Sequence, residues 1–278
     1  MSTSSTSSPF SARTSSSKAD RAVGTAPKPQ KTSPGKTRSE KTAVFRFIAG
    51  AVIPVFEVFT RFVIVDGDKM PNTGAFVLAP NHFTEIDPVV IGRVVWKLGR
   101  APRFLAKASL FRIPFVGWML RKSGQVPVER TGTDRTSDPL AAGRKIAEEG
   151  LAVIVYPEGS LTRDPDLWPM RGKLGAVRIA LEADIPLIPV AHWGDQQIMP
   201  RYGKGFHPFP RHTVTVKFGD PVDLSAFRGR PFDSTMLTEA TTLLMHDIAA
   251  LLGELRGETP PAKLWDPAEH NQSEIGRF

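Results

Sequence analysis

The chain has 278 residues, with 36 Lys and Arg against 28 Asp and Glu, a formal net charge of +8, and no cysteine. That length accommodates one or two domains with a substantial buried core. The missing cysteines exclude a disulfide scaffold, a Cys-ligated zinc or iron–sulfur site and thiol nucleophilic catalysis.

Residues 1–42 carry most of the basic excess: Arg13, Lys18, Arg21, Lys28, Lys31, Lys36, Arg38 and Lys41 stand against only Asp20 and Glu40. The same stretch holds eighteen Ser or Thr, four Pro and one branched aliphatic residue, Val23. It cannot bury enough apolar surface to offset its ordering entropy, so it reads as a disordered basic tail. A solvated leader, a polybasic segment drawn to anionic lipid and an organelle transit peptide are its three readings. A secretory signal peptide is excluded, because its early residues lack an apolar run of about 7–15 residues.

Residues 43–65, AVFRFIAGAVIPVFEVFTRFVIV, are the most apolar stretch, but Arg46, Glu57 and Arg61 leave a longest charge-free run of ten residues. That is too short for a membrane span. At about 100° per residue the three charges share one narrow face. The segment reads as amphipathic helix lying in a membrane interface, with a core-packing helix as the alternative, and Pro54 is expected to split it in two. Beyond it, residues 75–80 read as a buried strand, 88–98 as a helix, 125–128 as a strand and 139–149 as a helix closed by Gly150. Strands follow at 151–157, 185–192 and 212–219, with a loop over 158–172 and a helix over 173–183. Asp233 or Ser234 caps a last helix that runs to Arg256 and stops at Gly257. This alternation predicts one α/β domain over 66–257, with a mostly parallel central sheet flanked by helices, and a loose polar tail over 258–278.

Chemistry concentrates first at Asn81-His82-Phe83-Thr84-Glu85-Ile86-Asp87-Pro88, directly after the strand at 75–80. The C-terminal edge of a strand is where α/β folds present groups to ligands. Asp87-Pro88 reads as a helix start. A turn between the two side chains lets His82 fold back onto Asp87, so that a carboxylate on one ring nitrogen leaves the other as a base. A turn histidine beside a helix cap is the plainer reading of the same residues. From Pro88 to Pro127 there are eight basic residues and no acid, interleaved with Trp96, Phe104, Phe111, Phe115 and Trp118. Such a run suits a phosphate-bearing lipid or cofactor, an anionic membrane or single-stranded nucleic acid. Tyr156-Pro157-Glu158-Gly159-Ser160 closes a later strand, where a carboxylate beside a hydroxyl can hold a polyol. His192 ends the strand at 185–192 and faces the same sheet edge, as a substrate contact or an ordinary packing residue.

In order and spacing these pieces resemble the glycerolipid acyltransferases of the 1-acylglycerol-3-phosphate acyltransferase type over about residues 60–220. Asn81-His82-x4-Asp87 is similar to the family's first block, and Gly124-Gln125-Val126-Pro127-Val128-Glu129-Arg130 to the second. Residues 104–120 resemble the family's lead-in, with Lys107 at its usual lysine. Tyr156 to Ser160 resembles the acceptor-binding third block, and Ile185-Pro186-Leu187-Ile188-Pro189-Val190 the apolar fourth. Two departures fall on the acceptor side: Leu161 occupies the third block's usual arginine position, with Arg163 two places later, and Glu129 stands where Asp or Asn is usual.

The resemblance implies transfer of a fatty acyl group from an acyl-CoA or acyl-carrier-protein thioester to the hydroxyl of 1-acylglycerol 3-phosphate, forming phosphatidic acid. His82 is then the general base and Asp87 its orienting partner. Lys107, Arg130 and Arg163 are the candidates for the acceptor phosphate, and Glu158, Gly159 and Ser160 for the glycerol pocket. No metal and no cofactor beyond the thioester co-substrate are implied. The implied partners are an anionic membrane surface and a lysophospholipid, without nucleic acid, and the implied place is peripheral, on the cytoplasmic face of the cell membrane. The same chemistry on glycerol 3-phosphate, another lysophospholipid or a glycolipid is the alternative. A non-catalytic lipid- or nucleic-acid-binding protein is the remote one.

Overall fold

The computed structural model describes residues 41–128, 139–203 and 205–273. The tail assigned to residues 1–42 therefore lies outside the described residues, apart from Lys41 and Thr42.

Thr42 caps helix α1 (Ala43–Phe59), its hydroxyl accepting the Phe45 N–H at 3.3 Å. The helix runs through Pro54 without the expected division. Pro54 and Gly50 are both exposed, so the Gly50 carbonyl that the proline deprives of a donor stays solvated. Residues 60–65, expected to continue the helical segment, instead form strand β1 (Thr60–Val65). Their β-branched side chains suit a pleated backbone, and parallel pairing with β7 (His212–Phe218) satisfies it.

The chain continues through β2 (Phe76–Pro80), α2 (Asp87–Lys97), β3 (Arg103–Lys107), α3 (Pro114–Lys122) and β4 (Val126–Val128). After the undescribed 129–138 come α4 (Pro139–Glu148), β5 (Ala152–Ile154), α5 (Gly175–Ala183) and β6 (Leu187–Trp193), then β7 and α6 (Ser234–Arg256). Strand β3 has no counterpart among the sequence expectations. Helix α3 has none either; the remaining strands and helices of the domain fall close to where the pattern puts them, and Asp233 caps α6 by accepting the Met236 N–H at 2.8 Å.

Among the described residues the strands form one seven-stranded sheet in the order β1-β7-β6-β2-β5-β3-β4. Every pair is parallel except β6 with β7. The loop between those two needs glycine at position 194: φ is +116°, and a Cβ there would lie 2.1 Å from the Thr213 carbonyl oxygen. Alternate residues of β2 supply both faces of the core. Val77 and Ala79 join Val153 and Leu187 beneath α5 and α6, while Phe76 and Leu78 join Ile154, Ile188 and Val216 beneath α2. A sheet covered on both sides keeps its central strands dry, and β2 is buried along its whole length. It is flanked by β5 on one side and β6 on the other, at a switch in strand order where α/β folds open a crevice at the carboxyl ends.

The C-terminal residues 258–273 are more ordered than their polarity suggests. The Trp265 carbonyl accepts the Arg171 N–H at 2.8 Å, its indole stacks on His270 and its Nε1 donates to Gln272. Leu264 packs against the core and Pro267 is buried, so these residues add apolar contact to that of Trp265. The basic run over 88–127 is likewise not one cationic surface. Arg93 binds Glu57, Arg121 donates to the Phe111 carbonyl, and Arg100 and Arg103 are buried.

Arg100 is a keystone at the opposite end of the sheet from the carboxyl ends of the strands. Its guanidinium lies over the Phe76 ring and donates to the carbonyls of Pro71, Gly74 and Gly150 at 2.7–2.9 Å. Arg100→Met should leave these carbonyls without that donor and cost about 2–4 kcal/mol of unfolding free energy. Urea denaturation measures it; a loss under about 0.5 kcal/mol, the usual range for surface changes, would contradict this reading.

Candidate active site

β2 ends at Pro80, and the next six residues turn tightly into α2. His82 Nδ1 lies 2.9 Å from Asp87 Oδ2. Asp87 does not cap α2 in the ordinary forward sense, because the cap residue is Ile86. Its carboxylate instead turns back, accepting N–H groups from Phe83 at 2.8 Å and Thr84 at 3.0 Å and the Thr84 hydroxyl. That fixes the turn and draws the histidine over the helix start. The His82 side chain keeps 17% of its surface exposed while Asp87 has none, and His82 Nε2 has no hydrogen-bonding partner among the described residues. The imidazole therefore has one nitrogen oriented by a carboxylate and the other open.

The loop after β5 holds the backbone of His82 at both ends. Glu158 Oε1 accepts the His82 N–H at 2.8 Å, and the Thr162 N–H donates to the His82 carbonyl at 2.7 Å. Glu158 Oε2 accepts the Met170 N–H at 3.1 Å. Both oxygens of this fully buried carboxylate are thus engaged in fixing loops rather than aimed at a polyol. Gly159 is required where it stands, with φ +71° and Lys173 Cδ 2.9 Å from where a Cβ would be. The Tyr156 ring stacks on the His82 ring at 4.1 Å. The N–H groups of His82, Phe83 and Thr84 all point at carboxylates, so the end of β2 does not supply the oxyanion donors that its position suggests.

Behind this pair lies a second one that the sequence signals only weakly. His192 and Asp195 are completely buried, with Nδ1 of His192 3.1 Å from Asp195 Oδ1. His192 Nε2 donates to the Asn81 carbonyl at 2.9 Å and lies 3.7 Å from Asp87 Oδ2. The Asn81 side chain completes the link, donating to the His192 carbonyl and accepting the His192 N–H. A histidine at the end of the strand next to β2, with an aspartate three residues on, is the signal that could have found this pair. Asp87, His192 and Asp195 are also the acidic and imidazole groups close enough together to suggest a metal site, but Nε2 is committed to a carbonyl.

Of the remaining sequence candidates, Ser160 is half-buried on the same loop. Arg163 is buried and donates from Nη1 to the Tyr202 hydroxyl at 2.8 Å. Leu161, at the position of the family's arginine, is buried too. Lys107 ends β3, its side chain outside the described residues, and Arg130 and Glu129 lie outside them altogether.

The sequence pattern of the family described as Acyltransferase matches residues 61–193, from β1 to the end of β6. An uncharacterised acyltransferase of Schizosaccharomyces pombe is 31% identical over 172 residues, covering 58% of this chain and 56% of that protein. A chloroplastic 1-acyl-sn-glycerol-3-phosphate acyltransferase of Brassica napus is 32% identical over 129 residues, covering 46% of this chain and 36% of that protein. The chain thus spans little more than half the length of the first relative and about a third of the second. The crystal structure of the 1-acyl-sn-glycerophosphate acyltransferase PlsC of Thermotoga maritima shares the fold, with a TM-score of 0.56 and 22% identity over 83% of this chain and 86% of that one. Over residues 61–193 the chain is thus similar to the acyltransferase family, and the relatives it resembles include 1-acyl-sn-glycerol-3-phosphate acyltransferases.

The buried charges have a consequence for stability. Burial holds Asp195 up at about 6, against the pull of His192, and Glu158 up at about 8, against the N–H groups of Met170 and His82. Burial opposes the charge on His192, but the carboxylates of Asp195 and Asp87 outweigh it and raise the imidazole to about 9. Each of these groups binds its proton more tightly folded than unfolded, so its stabilising contribution is complete at low pH and lost as pH rises. The windows run from 3.8 to about 6 for Asp195, 4.5 to about 8 for Glu158 and 6.5 to about 9 for His192. Asp87 also pays for burial, but His192 and His82 hold it well below the ordinary carboxylate range, so its contribution disappears only in acid. Unfolding free energy from urea titrations at constant ionic strength should therefore fall between about pH 5 and pH 9; a rise across that window would show that these assignments are wrong.

Proposed function

We propose that this chain transfers a fatty acyl group from a thioester, acyl-CoA or acyl-carrier protein, to the free hydroxyl of 1-acylglycerol 3-phosphate, giving phosphatidic acid. The observation that carries the reading is the His82–Asp87 pair at the carboxyl end of β2, with Nδ1 on the carboxylate and Nε2 open. An alcohol is a poor nucleophile at neutral pH, so a base within hydrogen-bond reach is the first requirement of the reaction. His82 Nε2 removes the hydroxyl proton as the oxygen attacks the thioester carbonyl. Asp87 keeps the imidazole in the required tautomer and stabilises the imidazolium. The tetrahedral adduct collapses with loss of the thiolate, which takes up the proton from His82. Arg130 and Lys107 are our candidates for the acceptor phosphate, and Ser160 and Gly159 for the wall beside its glycerol, with Glu158 holding that wall in place. No metal or further cofactor enters the reaction.

A second acceptor class is favoured by one observation. Leu161 stands buried where the family has an arginine, and Arg163 is buried against Tyr202. Acceptors with a different headgroup, glycerol 3-phosphate, another lysophospholipid or a glycolipid, fit this change on the acceptor side.

Because the chain has no cysteine, a thiol-reactive dye sees only released CoA. Thiol release from a long-chain acyl-CoA should require lysophosphatidic acid, and His82→Ala should lower it by about 10²–10⁴-fold. Wild-type turnover in that variant would overturn the general-base assignment. Release that needs a different acceptor would select the second reading.

The membrane partner is read from α1. One face packs on the core through Phe45 and Phe59, while the other exposes Phe47 at 79%, Val55 at 59% and Val58 at 63%, together with Ala43, Gly50, Ala51 and Pro54. Among the described residues no helix is long and apolar enough to cross a membrane. A helix with one apolar face toward solvent, bordered by Arg46 and Glu57, suits a bilayer surface, and a peripheral place on the cytoplasmic face follows from a water-soluble donor and a lipid product. Replacing Phe47 and Val58 together by Asp should weaken co-sedimentation with phosphatidylglycerol-containing vesicles at least tenfold, since each apolar side chain contributes about 1.5–3 kcal/mol on burial. Unchanged binding would remove α1 as the contact.

A further inference from the structure

Asp87 is an ionised carboxylate with no solvent exposure, and such a charge needs a countercharge close by. In the proposed reaction His82 becomes cationic only after it takes a proton, so it cannot be the countercharge of the resting state. The hydrogen-bond pattern identifies another. The Asn81 carbonyl can only accept, so His192 Nε2 must carry a hydrogen, and Nδ1 faces a carboxylate oxygen of Asp195. Nε2 also approaches Asp87 Oδ2 to 3.7 Å, and that oxygen is the one His82 Nδ1 reaches from the other side. His192 and Asp195 have no exposed surface, so neither touches a substrate.

Backbone links act in the same direction. The Asn81 carboxamide exchanges two hydrogen bonds with the backbone of His192, and the ring of His192 returns a third to the Asn81 carbonyl. Residue 81 is covalently joined to the base, so the position of His82 depends on β6 through three bonds. Phe83, whose N–H donates to Asp87, stacks on the His192 ring at 4.8 Å.

We propose that His192 and Asp195 form a second histidine–aspartate pair, sealed behind the first, which holds Asp87 in register with His82 and is its countercharge before the reaction begins. His192 and Asp195 are thus positioning residues, and the proposal rests on the reading of His82 as the base. The charged and titratable groups around His192 are Asp87 from the start of α2, Asp195 from its own strand's loop, and Tyr156 and His82 across Asp87. With His192 an imidazolium, the buried group of Asp87, His192 and Asp195 carries one net negative charge at rest. It becomes neutral together with His82 at the moment His82 is protonated, which favours the imidazolium of the transition state. The rise of His192 to about 9 agrees with this protonation state.

The test combines kinetics and histidine nuclear magnetic resonance on the full chain. In the wild type labelled with ¹⁵N-histidine, both ring nitrogens of His192 should be protonated at pH 7.5; a neutral ring would overturn the proposal, whether or not any variant folds. In the thiol-release assay, His192→Phe should lower kcat about 10–100-fold, the range typical of removing the partner that orients a functional group, with both KM values within about twofold of wild type. His192→Gln presents an amide N–H where Nε2 stood and should recover at least threefold over His192→Phe. Asp195→Asn should lower kcat with KM unchanged. Wild-type kcat in His192→Phe, no recovery in His192→Gln, or activities that merely follow the melting temperatures of the three variants would each overturn it. If wild type releases no thiol with any acceptor, the reading of His82 fails, and the resonance measurement still decides the charge of His192.

Discussion

The site is organised by one buried carboxylate. Asp87 is removed from water at the start of α2, and its two oxygens gather the N–H groups of Phe83 and Thr84, the Thr84 hydroxyl and the His82 ring. A carboxylate accepts several hydrogen bonds and tolerates burial only when they are made. The turn from β2 into α2 is therefore folded around that requirement. The orientation of the imidazole and the course of the chain over residues 82–84 have the same cause.

What lies around Asp87 repeats this economy. Glu158 is a second buried carboxylate, and it spends both oxygens on backbone N–H groups, one of them that of His82. The loop it belongs to is secured from outside as well. Arg201 donates to the Thr162 carbonyl at 2.7 Å, and the guanidinium of Arg256 of α6 lies over both the Trp168 and the Trp193 ring, 4.2 and 4.7 Å from their centroids. Charged side chains thus connect loops from three strands into one rigid floor, leaving the outer nitrogen of His82 as the open group. Rigidity of this kind suits a site whose chemistry depends on holding a proton acceptor at a fixed place.

Much of this was legible in the residues. Strand β2, the turn and α2 follow from an apolar run, a His-x4-Asp spacing and an Asp-Pro start, and α6 is bounded by Asp233 and Gly257 as capping chemistry requires. What failed to show has physical reasons. Residues 60–65 read as helix because an apolar run with isolated charges satisfies either period, and only the presence of β7 as a pairing partner decides it. Strand β3 is short and its alternation is masked by arginine and lysine at its ends. The engagement of Glu158 with backbone was hidden because nothing in Pro-Glu-Gly-Ser says whether a carboxylate faces a ligand or a loop 76 residues away. Trp265 ordering a polar tail, and His192 joining Asp87, are both tertiary facts: each depends on a neighbour distant in the chain.

The central place of β2 has a consequence in time. Its two neighbours in the sheet, β5 and β6, are both made after it, and the groups that hold His82 in place arrive at residues 158, 162 and 192. A chain still emerging from the ribosome at residue 150 already contains His82 and Asp87 but none of those supports. Local contacts can form the turn early, whereas pairing of a central parallel strand waits for its distant partners. His82 and Asp87 are thus synthesised early and come into alignment late, so a fragment that ends before residue 158 holds the motif without the frame that positions it.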